Sequence, residues 1–150
     1  MNEVYEKVKE FKKNYPSTVT WWRLKKHASI VEKHLNKGEK VLYAFAGQKN
    51  KRSIDMFQTC VVVLTNERIL IGQKRVTPGY FLTSIAPYLY NDLTVKANII
   101  WGMVIIDTVK EVVFISNLSK SSLAEIETTI STYMLKRKKL YPDRAEEAEE

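Results

Sequence analysis

The residues of this sequence best suited to binding chemistry are cations in two short clusters. The first is Lys49-Asn50-Lys51-Arg52, and the second is the pair Lys74 and Arg75. Ammonium and guanidinium groups hold phosphate oxygens through charge-assisted hydrogen bonds. If folding brings the clusters together, they predict a site for a phosphorylated head group or an anionic membrane surface.

The residue types and their spacing give little support for a catalytic site or a metal site. His27 and His34 are seven residues apart, about 10.5 Å along a helix axis, which is too far to share one metal ion. Cys60 is the single cysteine, so a thiolate site has no second ligand. The five glycines form no phosphate-cradling loop, and no nucleophile motif is visible. We therefore expect a non-catalytic protein with no metal, no cofactor and no small-molecule substrate.

Length and composition predict one soluble globular domain. The chain has 150 residues, of which 45% are hydrophobic and 27% charged, which excludes a wholly disordered chain. The best apolar run covers residues 97–106, and a bilayer needs roughly 20 apolar residues. With no signal-peptide pattern at the start and one cysteine, we expect a cytoplasmic protein. If the basic clusters bind lipid, it would be peripheral to the inner face of the membrane.

The net charge favours anionic partners. Lys and Arg number 24 against 17 Asp and Glu, for a net charge of +7. Residues 141–150 hold five acidic residues and one basic one, and we expect them to form an acidic flexible tail. A basic body of this kind suits anionic lipid, nucleic acid or acidic protein without choosing among them.

Helical periodicity occurs at both ends of the chain. Apolar residues recur every three or four positions from Val4 to Tyr15, and again from Trp21 to Leu35, which predicts a helical hairpin over residues 1–37. Ser17, Thr18 and Thr20 are candidate caps for its second helix. The same spacing from Leu123 to Met134 predicts a C-terminal helix after the hydroxyl-rich start at residues 119–122.

Short apolar runs rich in Val, Ile and Tyr fill the middle of the chain, which is typical of strands. We predict seven of them, joined mostly by short connections, within a domain at 38–140. Their predicted ranges are 40–47, 57–64, 68–73, 80–85, 93–100, 103–107 and 111–115. This succession predicts an α+β fold with a meandering antiparallel sheet or barrel.

Seven strands followed by one helix is the order of the pleckstrin-homology (PH) superfold. The stretch Gly38-Glu39-Lys40-Val41-Leu42 resembles the opening of the YokE-like bacterial PH domains, and residues 62–71, VVLTNERILI, resemble their hairpin. The pair of strands around Trp101-Gly102 and the helix after Ser119 extend the similarity. The resemblance implies a PH-like seven-stranded antiparallel β-barrel with a C-terminal capping helix, here preceded by the helical hairpin, and a binding or assembly role without catalysis.

The resemblance also implies where the two basic clusters lie in the fold. Lipid-binding members of the PH superfold carry basic residues between the first two strands, where Lys49, Lys51 and Arg52 lie. The connection that holds Lys74 and Arg75 opens at the same end of such a barrel. These five cations are our candidate anion-binding or lipid-binding residues.

A second cluster combines two tryptophans with cations on the second predicted helix. Its members are Trp21, Trp22, Arg23, Lys25 and Lys26. An outward-facing Trp could stack on bases, lie at a membrane interface or fill a subunit contact. Together with the basic first 40 residues, this cluster leaves nucleic-acid binding as a weaker alternative.

Two neighbouring strands are apolar at consecutive positions, so both faces of their hairpin require burial. The outer face needs a cover, which is either the N-terminal helical hairpin or another subunit. We therefore keep a protein partner or a homo-oligomer as an alternative to lipid binding. The candidate interface residues are Trp22, Val62, Leu64 and Leu70.

Overall fold

The computed structural model describes residues 2–18, 23–50, 58–75 and 78–140. Within them, two N-terminal helices precede seven strands, and one long helix follows. The helices are α1 (Glu3–Asn14), α2 (Leu24–Lys33) and α3 (Leu123–Leu140). The strands are β1 (Val41–Gln48), β2 (Thr59–Thr65), β3 (Ile69–Lys74), β4 (Tyr80–Ile85), β5 (Tyr90–Ala97), β6 (Gly102–Thr108) and β7 (Val112–Leu118).

All neighbouring strands pair antiparallel, in the spatial order β4-β3-β2-β1-β7-β6-β5. The β1–β7 contact is brief and joins Gln48 to Ser116. The sheet therefore bends there into two halves that enclose a core, with β4 and β5 at its edges. This architecture confirms the predicted α+β fold with seven antiparallel strands, a C-terminal helix and N-terminal helices.

Alternation along β2 and β3 sends side chains into two separate cores. Val62 and Leu64 face the interior of the barrel, together with aromatic and aliphatic residues of α3 and the other strands. Val63 and Leu70 face the opposite way, where Val4 and Val8 of α1 and Ala28 and Val31 of α2 cover them. Both faces of the hairpin are thus buried by the chain itself.

This burial bears directly on the candidate partner interface. Val62, Leu64 and Leu70 are exposed by 0%, 1% and 0% respectively, so each is covered within the chain. In this fold Val62 and Leu64 pack in one core and Leu70 in the other, so they offer no accessible surface to a partner. Trp22, the fourth interface candidate, lies outside the described residues.

The C-terminal helix closes one end of the barrel through apolar and polar contacts. Ile126, Ile130 and Met134 are fully buried in the core. The Tyr133 hydroxyl donates to the Asn66 carbonyl in the β2–β3 turn at 3.1 Å, and the Lys138 ammonium donates to the Tyr90 carbonyl at 2.7 Å. These bonds hold α3 against the β2–β3 turn and the start of β5.

A buried ion pair joins the start of β1 to the β2–β3 turn. The Arg68 guanidinium donates to both carboxylate oxygens of Glu39, at 2.9 and 3.0 Å. Thr65 Oγ1 donates to the same carboxylate at 2.6 Å, and the Asn36 N–H does so at 2.8 Å. The two stretches that carried the family resemblance therefore meet around one carboxylate.

Three sequence expectations differ from the structure at element ends. The strand predicted over 93–100 begins earlier, at Tyr90, and ends at Ala97, because the Asn98 side chain accepts the N–H groups of Ile100 and Trp101 and turns the chain. Thr18 does not cap α2; its hydroxyl accepts the Ser119 N–H at 3.0 Å. The residue before α2 is Arg23, in a left-handed conformation with φ of 53° and no side-chain cap.

Candidate functional site

The described members of the predicted basic rim lie at one end of the sheet. The Lys49 N–H donates to the Gln58 carbonyl at 2.8 Å, just past the end of β1. The Gln73 side chain, near the end of β3, donates to the Gln58 side chain at 3.0 Å. The connections after β1 and β3 therefore open side by side. Lys51 and Arg52 lie outside the described residues.

Strand alternation separates the two cations of the second cluster. Lys74 shares the face of Gly72, which α2 covers, and its N–H donates to Nδ1 of His27 at 2.7 Å. The Arg75 guanidinium instead lies 5.2 Å from the ring centroid of Phe81, on the strand beside it. The structure thus assigns Lys74 to the helix side of the sheet and Arg75 to the side of Phe81.

Lys74 contributes to a groove on the solvent side of α2, which we call the basic groove. The groove has a volume of about 750 Å³. Its charged lining residues are Arg23, Lys25, Lys26, Lys33 and Lys74, and its other lining residues are Tyr5, Leu24, Ser29 and Ile30. The structure therefore unites Arg23, Lys25 and Lys26 of the tryptophan cluster with Lys74 of the predicted rim.

The electrostatics of the basic groove are one-sided. Its described lining has five cationic residues and no carboxylate. Among the described residues, no carboxylate pairs with Lys25, Lys26, Lys33 or Lys74. The Lys25 ammonium lies 5.9 Å from the centroid of the Tyr5 ring, a contact that leaves its charge available to a ligand. The groove can bind a phosphate-bearing surface through several ammonium groups at once.

Sequence reasoning missed Lys33 and the meeting of α2 with Lys74. A signal for Lys33 was present, because Lys26, Ile30 and Lys33 are spaced four and three residues apart and share one stripe of the helix. No comparable signal in the sequence indicates that Lys74 lies next to α2. This proximity depends on Gly72, where an added Cβ would lie 2.6 Å from the Val31 side chain, so the missing side chain lets α2 lie close to β3.

A second groove, beside α1, carries charges of both signs and serves as a comparison. It has a volume of about 630 Å³ and is lined by Glu3, Glu6 and Glu10 as well as Lys7, Lys9 and Lys13. There Lys9 pairs with Glu6 at 3.1 Å. The charges of that surface cancel, whereas those of the basic groove add.

Residues that could support other chemistry are placed in structural roles. Cys60 is fully buried, and burial raises the pKa of its thiol to about 12. His27 is fully buried against Lys74, and Nδ1 of His34 lies 2.6 Å from the Ile30 carbonyl. Within the described parts of the chain, no three His, Cys, Asp or Glu side chains lie close enough to hold a metal ion.

None of the described helices has both the length and the apolar character that crossing a bilayer requires.

Comparison with known proteins gives one family match and one structural similarity. The family described as Bacterial PH domain matches residues 35–132, which is more than half of the chain. A crystal structure of a pleckstrin homology domain from Shewanella amazonensis SB2B is similar over 77% of this chain and 90% of that one, with 15% sequence identity and a TM-score of 0.48. No curated protein matches the chain.

Proposed function

The chain belongs to the bacterial PH domain family, and from that premise we propose that it is a non-catalytic binding module that contacts an anionic membrane surface. The observation that carries this proposal is the basic groove, where five cations and no carboxylate line one surface within the part of the chain that the structure describes. The family match begins at residue 35. The groove therefore combines Lys74 of the matched domain with α2, which precedes it.

The composition of the groove favours a membrane over a small ligand. Its cations are mostly lysines, whose ammonium groups act as point charges and need no fixed partner geometry. Each Lys or Arg close to an anionic bilayer contributes about 1 kcal/mol of attraction. Several such groups on one open surface give useful binding, even though each is solvated and weak alone.

The predicted rim extends this proposal beyond the groove. Lys49 and Arg75 lie at the same end of the sheet as Lys74, and Lys51 and Arg52 belong to the same connection as Lys49. We propose that these residues add charge at the edge of the same membrane contact. The domain limits of 1–37, 38–140 and 141–150 remain predictions, and residues 141–150 lie outside the described part.

Membership of the YokE-like branch and a cytoplasmic location are further proposals. The first is supported by Glu39, Thr65 and Arg68, which stand in the two stretches that resemble that branch and bind one another in the structure. The second is supported by the single buried cysteine, which fits a reducing compartment.

Vesicle flotation tests the proposed function. Wild type and Lys26→Glu/Lys33→Glu are compared on phosphatidylcholine vesicles with and without phosphatidylglycerol at physiological salt. The matched control is Lys136→Glu/Lys139→Glu, which makes the same charge change at two exposed positions of α3. We expect wild type and the control to float with the anionic vesicles only, and the groove variant to stay in the soluble fraction.

Other outcomes would redirect the proposal. If wild type does not float, or if both variants lose binding equally, the groove is not a membrane site. Concentration-dependent mass in solution would then favour self-association or a protein partner. Binding to nucleic acid with a steep salt dependence, lost when Lys26 and Lys33 are reversed, would favour the nucleic-acid alternative.

A further inference from the structure

The turn between β5 and β6 exposes two large apolar side chains at its tip. Ile99 is 93% exposed and Ile100 is 67% exposed, the highest values among the large hydrophobic residues of the described chain. Trp101 follows and is half-buried. Apolar groups concentrated in this way mark a contact surface, because folding alone gives no reason to keep them in water. We call residues 98–101 the apolar tip.

The apolar tip is held in one conformation by its own hydrogen bonds. The Asn98 carboxamide oxygen accepts the N–H groups of Ile100 at 2.8 Å and Trp101 at 2.6 Å. The Asn98 N–H donates to the Trp101 carbonyl at 2.9 Å. The Lys120 ammonium donates to the Ile99 carbonyl at 2.7 Å and ties the turn to the segment just before α3. An ordered tip binds without a further cost of ordering.

The charges around the apolar tip favour a bilayer as its partner. No Asp or Glu occurs in the chain between Asp92 and Asp107. Lys96 is exposed on β5, and Lys120 lies against the turn. Two isoleucines on a protruding turn, with lysines beside them and a Trp at their base, match the composition of segments that enter the membrane interface.

We propose that the apolar tip inserts Ile99 and Ile100 into the interface of a lipid bilayer, with Lys120 at the level of the head groups. This inference goes beyond the proposed function, because it concerns apolar insertion by the β5–β6 turn rather than electrostatic contact by the basic groove. The two surfaces are built from different elements and can be tested separately.

A fluorescent probe beside the tip tests insertion directly. Lys96→Cys carries an environment-sensitive nitrobenzoxadiazole label, while the buried Cys60 thiol stays unlabelled in the folded protein. Labelled protein is mixed with phosphatidylcholine and phosphatidylglycerol vesicles, with and without nitroxide-bearing lipid. A label at Lys136→Cys on α3 reports general proximity to the membrane. We expect a blue shift and nitroxide quenching at position 96, and neither at position 136.

A second pair of variants links the signal to the isoleucines. Ile99→Ser/Ile100→Ser removes the apolar tip, and Val109→Ser/Val112→Ser removes two other exposed apolar side chains, which are 56% and 48% exposed. We expect the first variant to partition into vesicles at least about tenfold more weakly and to lose the blue shift. The valine variant keeps both, and thermal unfolding confirms that each variant is folded.

Several results would overturn the inference. They are an unshifted label on bound protein, equal partitioning of the isoleucine variant and wild type, or an oligomer in solution that disappears only in the isoleucine variant, which would make the tip a contact between copies. A different result would overturn the proposed function of the basic groove and leave this inference standing. In that case Lys26→Glu/Lys33→Glu binds vesicles as wild type does, while the label at position 96 still reports insertion.

Discussion

Single residues hold the start of β1 against the β2–β3 turn, and Glu39 is the clearest case. Its carboxylate is 0% exposed, and the paired Arg68 side chain is 19% exposed. Removing one partner of a buried ion pair leaves the other charge buried and uncompensated. The Arg68 guanidinium also donates to the His34 carbonyl at 3.0 Å, so it ties the end of α2 to the same cluster.

We predict that Arg68→Ala lowers the free energy of unfolding by about 3–5 kcal/mol. Urea unfolding followed by circular dichroism measures the loss. The matched control is Arg75→Ala, whose guanidinium is exposed and contacts only the Phe81 ring among the contacts described, and we expect it to change stability by less than about 0.5 kcal/mol. Equal stabilities for the two variants would contradict the role of the ion pair.

The same carboxylate predicts a dependence of stability on pH. Burial alone would raise the pKa of Glu39, but hydrogen bonds from Arg68, the Asn36 N–H and Thr65 outweigh it, so the pKa lies below its usual value. A lowered folded-state pKa gives stability that is present above the unfolded-state value of about 4.3 and is lost as the pH falls through the folded-state value.

We therefore expect the stability difference between wild type and Glu39→Gln to be largest near neutral pH and to shrink below about pH 4. Urea unfolding of both proteins from about pH 7 to about pH 3 measures it. A difference that stays constant or grows on acidification would contradict this account of Glu39.

His27 is a second residue with a defined structural task. It accepts the Lys74 N–H at Nδ1, so that nitrogen carries no proton in this structure. We predict that His27→Leu lowers the free energy of unfolding by about 1–2 kcal/mol and weakens vesicle binding, since Lys74 loses its link to α2. Thermal unfolding and flotation measure the two effects. Unchanged values in both would show that the histidine does not position the groove.

The sequence identified these residues without revealing their partners. Glu39, Thr65 and Arg68 all stand in stretches that resemble known bacterial PH domains, yet nothing in their spacing shows that they bind one another. Their meeting depends on the register that sets Val41 opposite Thr65, which is a property of the folded sheet.

At the level of elements, the position of α2 is the feature on which the basic groove depends. The helix lies against β3 at Gly72, where an added Cβ would come within 2.6 Å of the Val31 side chain and 3.3 Å of the His27 carbonyl oxygen. Val31 is β-branched and fully buried, so it has little freedom to move aside. Glycine at this position is therefore a condition for the close approach of helix and strand.

We predict that Gly72→Ala displaces α2 and lowers the free energy of unfolding by about 1–3 kcal/mol. Urea unfolding measures the loss, and hydrogen exchange of the α2 amides locates it. Faster exchange confined to α2 is the expected result. Uniform exchange across the sheet, or unchanged stability, would contradict the close packing of α2 on β3.

Element positions were predictable where periodicity was strong and less so where side chains redirect the chain. The strands and α3 follow apolar patterns, so their order could be read from the sequence. The end of β5 could not, because the Asn98 side chain turns the chain inside an apolar run. The hydrogen bond of the Thr18 hydroxyl could not be predicted either, since its partner, Ser119, is 101 residues away in the sequence.

At the level of the whole molecule, the fold was more predictable than the site. Seven short strands and a final helix indicate the architecture on their own, whereas the basic groove needs α2 to lie over β3 and the alternation of β3 to direct Lys74 toward it. The sequence prediction included Lys74 because the β3–β4 connection opens at the same end of the barrel as the β1–β2 connection, and not because of α2. The sequence left open whether the N-terminal helices or another subunit covers the outer face of the β2–β3 hairpin, and in the structure the chain itself buries Val62, Leu64 and Leu70.

The proposed function requires that the basic groove bind an anionic bilayer through the sum of its charges. The most direct measurement is the vesicle partition coefficient as the fraction of phosphatidylglycerol is raised, for wild type, Lys26→Glu/Lys33→Glu and Lys136→Glu/Lys139→Glu. We predict a steep rise for wild type and the α3 control, and a nearly flat line for the groove variant. Parallel curves for all three proteins would contradict the proposed function.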